Sequence, residues 1–222
     1  FLSAGFAELN VKLVGSDPGI MALYNGASHM GLEDMGILQN IPNLTLIEPC
    51  DTVQLASVLH QVKDTYGLHY IRMNRKNANT VYEEGTEFQI GKGLVLKEGG
   101  DVTIIASGIM VELSLKAAEL LEAEGIHATV IDMFTWKPLD EELVLAYAEK
   151  TGAIVTAENH RIATGLGSAV ANLLSEHQMV PLGRTGVGNV YGEVGVLPYL
   201  LERFEMRPED IAQKAKQTIA RK

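Results

Sequence analysis

The chain has 222 residues, 46% of them hydrophobic, and its 28 acidic against 18 basic side chains leave a net charge of −10. That sign argues against nucleic acid, whose binding rests on neutralising phosphates with Lys and Arg, and against anionic membrane surfaces. A single cysteine, Cys50, excludes an internal disulfide and fits a reducing cytoplasm.

The opening "FLSAGFAELN" has neither a basic start nor a long apolar run, so no secretory leader is visible. It resembles the end of a helix running into the strand "VKLVG", and the chain is expected to begin partway through a domain. "LTLIEP" is a second strand, stopped by Pro49. "DTVQLASVLHQVKDTYG" then has the marks of a helix: Asp51 as N-cap, Gln54 completing a capping box, and Gly67 as the stop. Val53, Leu55, Ala56, Leu59 and Val62 form its expected apolar stripe. "LHYIRM" is a third strand.

From about Asn74 to Asp101 the chain turns polar and Gly-rich, which predicts a linker with a hairpin over "FQIGKGLVLKEG". Alternation then resumes. "VTIIAS", "HATVIDM", "AIVTAE" and "LGRTGV" are strands; "MVELSLKAAELLEAEG", "DEELVLAYAEKTG", "GLGSAVANLLSEH" and "PEDIAQKAKQTIARK" are helices. The longest strongly apolar run, "VTIIASGIMV", is too short to span a bilayer. Alternating βα signals imply mostly parallel sheets covered by helices, with ligands gathering at the carboxyl ends of the strands. That rule points to "GSDPG", "EPCD" and "MNRKN".

His29 stands in "NGASHMGLED", between small residues and just before a helix start. There it is either a group that hydrogen-bonds an oxyanion and shuttles a proton, or a histidine bonded locally at the helix start; the residues alone leave both open. A metal on His29 and Glu33 lacks further ligands at metal spacing. Arg72 and Arg75 follow the third strand, where a guanidinium grips phosphate or carboxylate, or forms an interdomain salt bridge. "TGLGSA" at Thr164–Ala169 falls short of a dinucleotide fingerprint and fits close helix–strand packing better; "ASG" at Ala106–Gly108 fits a helix cap. His160 is either functional or bonded to a loop, and Cys50 is better placed as a small buried residue than as a nucleophile.

In combination, "NGASHMGLEDMGILQNIPNLTLIEPCD", "DVTIIASGIMVELSLKAAELLEAEGIHATVIDMFTWKPLD", "AENH", "GLGSAVANLLSE" and "YGEVGVLPYLLERFEMRPEDI" resemble the transketolase-like, thiamine diphosphate-dependent family over nearly the whole chain. The similarity is greatest to the C-terminal subunit of split bacterial transketolases. It implies an α/β protein of two consecutive mostly parallel-sheet domains: a partial pyrimidine-binding domain at 1–80, a linker at 81–100 and a transketolase C-terminal domain at 101–222. His29 matches the family histidine beside the thiazolium, a donor to the substrate oxygen and a proton shuttle. Arg75 matches the arginine that binds the terminal phosphate. Asn25 and Asp17 stand where the family usually has an aspartate that reads a sugar hydroxyl and a histidine.

These departures imply substrates other than the ordinary pentose and hexose phosphates. "GFAELN" imitates the family's cofactor-activating motif, but Glu8 lies too close to the first strand. The activating glutamate is therefore expected before Phe1. Thiamine diphosphate and Mg2+ (or Ca2+) are expected to be held mainly by that segment and by an N-terminal partner subunit, with two copies of this chain in a heterotetramer acting on small sugar phosphates. Rival implications are a 2-oxoacid dehydrogenase β-subunit, a deoxyxylulose phosphate synthase, or a non-catalytic subunit that kept the fold.

Overall fold

The computed structural model describes residues 2–75 and 79–222. Phe1 and residues 76–78, which include part of the stretch read as a linker, lie outside the described residues. Two sheets organise the chain. The first has strand order β1 (Val11–Ser16), β3 (Leu68–Met73), β2 (Leu44–Ile47) and β7 (Thr135–Lys137). The second has the order β4 (Leu94–Lys97), β6 (Ala128–Asp132), β5 (Val102–Ala106), β8 (Ile154–Arg161) and β9 (Leu182–Val187). Pairing is parallel except for β7 on β2 and β4 on β6, which are antiparallel. Strands β5 and β6 are buried at every position, as expected of β-branched runs covered on both faces.

The expected helices form as α2 (Thr52–Asp64), α3 (Met110–Ala123), α4 (Glu141–Thr151), α5 (Leu166–Glu176) and α7 (Pro208–Ile219). Asp140 caps α4, and Gly152 closes it in the left-handed region that glycine enters without strain. Two short α-helices, α1 (Asp34–Leu38) and α6 (Leu197–Arg203), a π-helical turn at Leu2–Phe6 and a 3-10 segment at Gly19–Ser28 are present as well. Among the described residues no helix is long and apolar enough to cross a membrane.

Three expectations change. Residues 88–93 do not form the first arm of a hairpin; they turn, held by Gln61, whose side chain bonds both Phe88 O and Ile90 N, and only Leu94–Lys97 is a strand. Helix α2 buries Gln54, Val58 and Val62, while Leu59 and Ala56 face solvent. Its phase is set by Gln54, which passes inward to donate to the buried Asp132 at 2.7 Å. The same side chain accepts from Cys50 N rather than from the N-cap N–H, so the capping box is shifted by one residue. Finally, β7 is a three-residue strand from the second half that extends the first sheet, so the two halves share a sheet.

The halves are further joined by buried polar bonds. Arg72 of β3 donates to Asn159 O of β8 at 2.9 Å. Trp136 of β7 donates to Ser107, and Ser107 to Glu48 at the end of β2.

Candidate functional site

Strand β1 ends beside β3, with Ser16 opposite Met73. The next residue, Asp17, is anchored by donating its N–H to Met73 O at 3.0 Å and has φ 55°, a left-handed conformation uncommon outside glycine. Two residues past β3, the N–H of Arg75 donates to Asp17 Oδ1 at 3.3 Å and its Nε donates to Asp17 Oδ2 at 2.6 Å; Nη2 completes the ion pair. The two residues singled out at these strand ends therefore neutralise one another.

After Pro18 the chain makes a 3-10 segment, Gly19–Ser28, broken by positive φ at Leu23 and Gly26. Asn159 on β8 grips its start: the side chain accepts from Ile20 N and donates to Pro18 O, both at 2.9 Å. Gly19 has φ +52°, and a Cβ there would come within 2.2 Å of Asn159 Oδ1, so only glycine permits the approach. Further along, Gly195 N donates to Leu23 O, and Val194 packs on Gly26. The loop, part of the first half, is thus braced by the second half of the chain.

Its far end carries Asn25, Ser28 and His29, all exposed. The Ser28 hydroxyl donates to Asn25 O at 3.1 Å and lies 2.8 Å from His29 Nδ1. A hydroxyl has one hydrogen. With that hydrogen on Asn25 O, Ser28 accepts from Nδ1–H, and Nε2 is the ring nitrogen left to exchange a proton. Among the described residues no hydrogen bond joins Asn25 or His29 to the Asp17–Arg75 pair. Glu33 is engaged by the Arg161 guanidinium at 2.6 Å and 3.0 Å.

The other candidates resolve into structure. Arg72 is wholly buried and donates to Glu48, Asp34, Gly31 O and Asn159 O. His160 is buried edge-on against Trp136; its Nε2 accepts from Gly36 N, and burial, with Arg72 nearby, pushes its pKa down to about 4, so it is neutral. The backbone N–H groups of Leu166 and Gly167 that start α5 donate to the buried Glu158, so this helix N-terminus is filled by the chain's own carboxyl group. Ser107 does not cap α3; its hydroxyl serves Glu48. Cys50 is buried, and burial followed by the Asp132 and Asp51 carboxylates pushes its thiol far up, leaving no thiolate for nucleophilic work.

Glu8 lies in a turn with φ 51°, and its carbonyl accepts from Tyr66, next to the amino ends of β1 and β3. That is the opposite end of the sheet from Asp17 and Arg75. Among the described residues no three His, Cys, Asp or Glu side chains gather to hold a metal. Sequence reasoning missed Ser28 and Asn159. Adjacency to His29 was the only signal for the first; the second depends on a contact across 139 residues.

Residues 2–80 match the transketolase pyrimidine-binding domain, and residues 91–211 match the transketolase C-terminal domain. The whole chain is 49% identical to the 6-deoxy-6-sulfo-D-fructose transketolase subunit of Clostridium sp. (strain MSTE9), spanning 69% of its length. It is 34% identical to the transketolase of Homo sapiens, with 98% of this chain matching 35% of that protein. Among solved structures, a split-gene transketolase described as an inactive beta4 tetramer superposes with a TM-score of 0.92 at 40% identity, over 98% of this chain and 69% of that one.

Proposed function

The chain belongs to the transketolase family, and we propose that it is the C-terminal subunit of a split enzyme that moves a two-carbon ketol unit between sugars. Thiamine diphosphate, the cofactor of this family, would supply the electron sink that lets a carbon–carbon bond beside a carbonyl break and form. The residues of this chain bind the sugar, orient it and move a proton. His29 is the proton-handling group. Ser28 fixes its Nδ1–H tautomer, and Nε2 donates to the sugar oxygen when protonated and accepts from the hydroxyl when neutral. Asn25 reads a sugar hydroxyl, and Arg75 holds the anionic tail. The observation that carries this reading is the exposed Asn25–Ser28–His29 arrangement on a loop pinned at the carboxyl end of parallel strands.

The cofactor's diphosphate, its Mg2+ or Ca2+, and the carboxylate that activates it are assigned to sequence outside this chain and to an N-terminal subunit. Glu8 is at the wrong end of the sheet for the activating role. Two copies of this chain within a heterotetramer is the assembly we assign. Its support is the apolar rim beside the His29 loop, where Tyr24, Tyr191, Val194 and Tyr199 are all exposed. The similar split transketolase, described as an inactive tetramer of beta chains, supports the expectation that this chain alone does not turn over. The cytoplasm is the compartment assigned, consistent with the buried, unpaired Cys50.

Reconstitution tests the reading. The chain, combined with its N-terminal partner, thiamine diphosphate and Mg2+, is expected to release an aldose from ketose donors and to stop doing so in His29→Ala. Full activity in His29→Ala, or no turnover of any ketose, would overturn it.

A further inference from the structure

We infer that the Asp17–Arg75 ion pair selects sugars whose tail carries a single negative charge, such as a sulfonate, over tails that are dianionic phosphates. This rests on the ketol-transfer reading and names the substrate class of that same site. A lone arginine at a strand end prefers the more highly charged anion, because each further charge adds attraction. Here the guanidinium is already paired through Nε and Nη2 with a carboxylate; among the described residues Nη1 has no partner, and the net charge of the two side chains is zero.

Asp17 cannot swing aside easily. Its own N–H is fixed to Met73 O, its Oδ1 receives Arg75 N, and its side chain is only 22% exposed, against 62% for Arg75. A tail that docks on Arg75 therefore sits within a few ångströms of a fixed negative charge. A phosphate monoester is largely dianionic at neutral pH, its second pKa being about 6, and meets that charge twice over. A sulfonate has the same tetrahedral oxygens for the guanidinium and half the charge to set against Asp17.

The test uses the complete complex with thiamine diphosphate and Mg2+. Its kcat/KM is compared for D-fructose 6-phosphate, 6-deoxy-6-sulfo-D-fructose and erythrulose, an uncharged ketose without a tail. Wild type is expected to favour the sulfonate over the phosphate by about tenfold or more, the scale of one added like-charge contact near a protein surface. Asp17→Asn, which keeps the shape and tolerates the left-handed backbone, is expected to raise the ratio of the phosphate's kcat/KM to that of erythrulose about tenfold. A complex that turns over erythrulose but prefers the phosphate, or whose preference Asp17→Asn does not move, overturns the tail assignment alone. A complex that turns over none of the three overturns the ketol-transfer reading and this assignment with it.

Discussion

Arg72 Nη1 lies 2.5 Å from Glu48 Oε1, with the two side chains 0% and 2% exposed, and the same guanidinium reaches Asp34 and the carbonyls of Gly31 and Asn159. It therefore ties β3, β2, the segment before α1, and β8 of the second sheet to one point. Burial alone would lower its pKa, but the Glu48 and Asp34 carboxylates outweigh burial and keep it charged. Removing the cation strands two carboxylates. Arg72→Met is expected to cost about 3–5 kcal/mol in urea denaturation. Arg72→Lys should also destabilise, because one ammonium cannot reproduce a planar fork serving four acceptors. A wild-type midpoint in either variant would contradict this role.

His29, by contrast, is exposed and braces nothing beyond Ser28. His29→Asn is expected to lower ketol transfer by about 10²–10⁴-fold in the reconstituted complex while leaving the thermal midpoint where it was. Ser28→Ala should have a smaller effect on rate and should move the imidazole ¹⁵N shifts away from the Nδ1–H pattern. Unchanged ¹⁵N shifts in Ser28→Ala would remove Ser28 from the proton path.

Gly19 lets the site loop touch the second half of the chain. With φ +52° and Asn159 Oδ1 and O at 2.2 and 2.3 Å from a built Cβ, Gly19→Ala is both strained and overpacked. The expected cost is about 2–4 kcal/mol. Part of the effect should appear as faster hydrogen exchange at Ile20, whose amide bonds Asn159. Equal stability and equal exchange at Ile20 would mean that the contact does not hold the loop.

Asp132 lies at the meeting of α2, the Tyr82 segment and β6, accepting from Gln54 and Tyr82 at 2.7 Å each. Burial pushes its pKa up from 3.8 to about 7, against the opposing pull of those hydrogen bonds. In the unfolded chain the group ionises near its ordinary value. Between the two values the folded state holds a proton that the unfolded state has lost, so the stability contribution is complete below about pH 4 and declines until about pH 7. Asp132→Asn, which cannot ionise, should remove that decline. Denaturation midpoints of the two proteins, compared from pH 4 to 8, should converge or cross as pH rises. A constant difference would show that Asp132 does not titrate in this window.

Much of the fold was legible because local chemistry dictates it. The β-branched runs bounded by Gly, Pro and Asp became strands β1, β2, β3, β5, β6, β8 and β9, and the capping residues Asp51 and Asp140 start the helices they were expected to start. The phase of α2 was not legible. Hydrophobicity placed Leu59 inside, whereas the buried position belongs to Gln54, a polar residue whose partner Asp132 lies 78 residues away. The three-residue β7 carried too short a pattern to announce itself; it exists because β2 offers an edge from the other half of the chain.

The sequence by itself determined the residue types at the site and the strand ends that present them: Asp17 and Arg75 beyond β1 and β3, and His29 on the loop between β1 and β2. The tertiary structure alone decided how those residues are spent, because charge pairing and burial depend on approach through space. Arg72 and Arg75 stand three residues apart and look alike in sequence. The alternation of β3 and the turn after it bury the first among Glu48, Asp34 and backbone carbonyls, and leave the second in solvent with Asp17. One became the fastening between two sheets, and the other stays at the surface paired with Asp17, the position we propose for the substrate's tail.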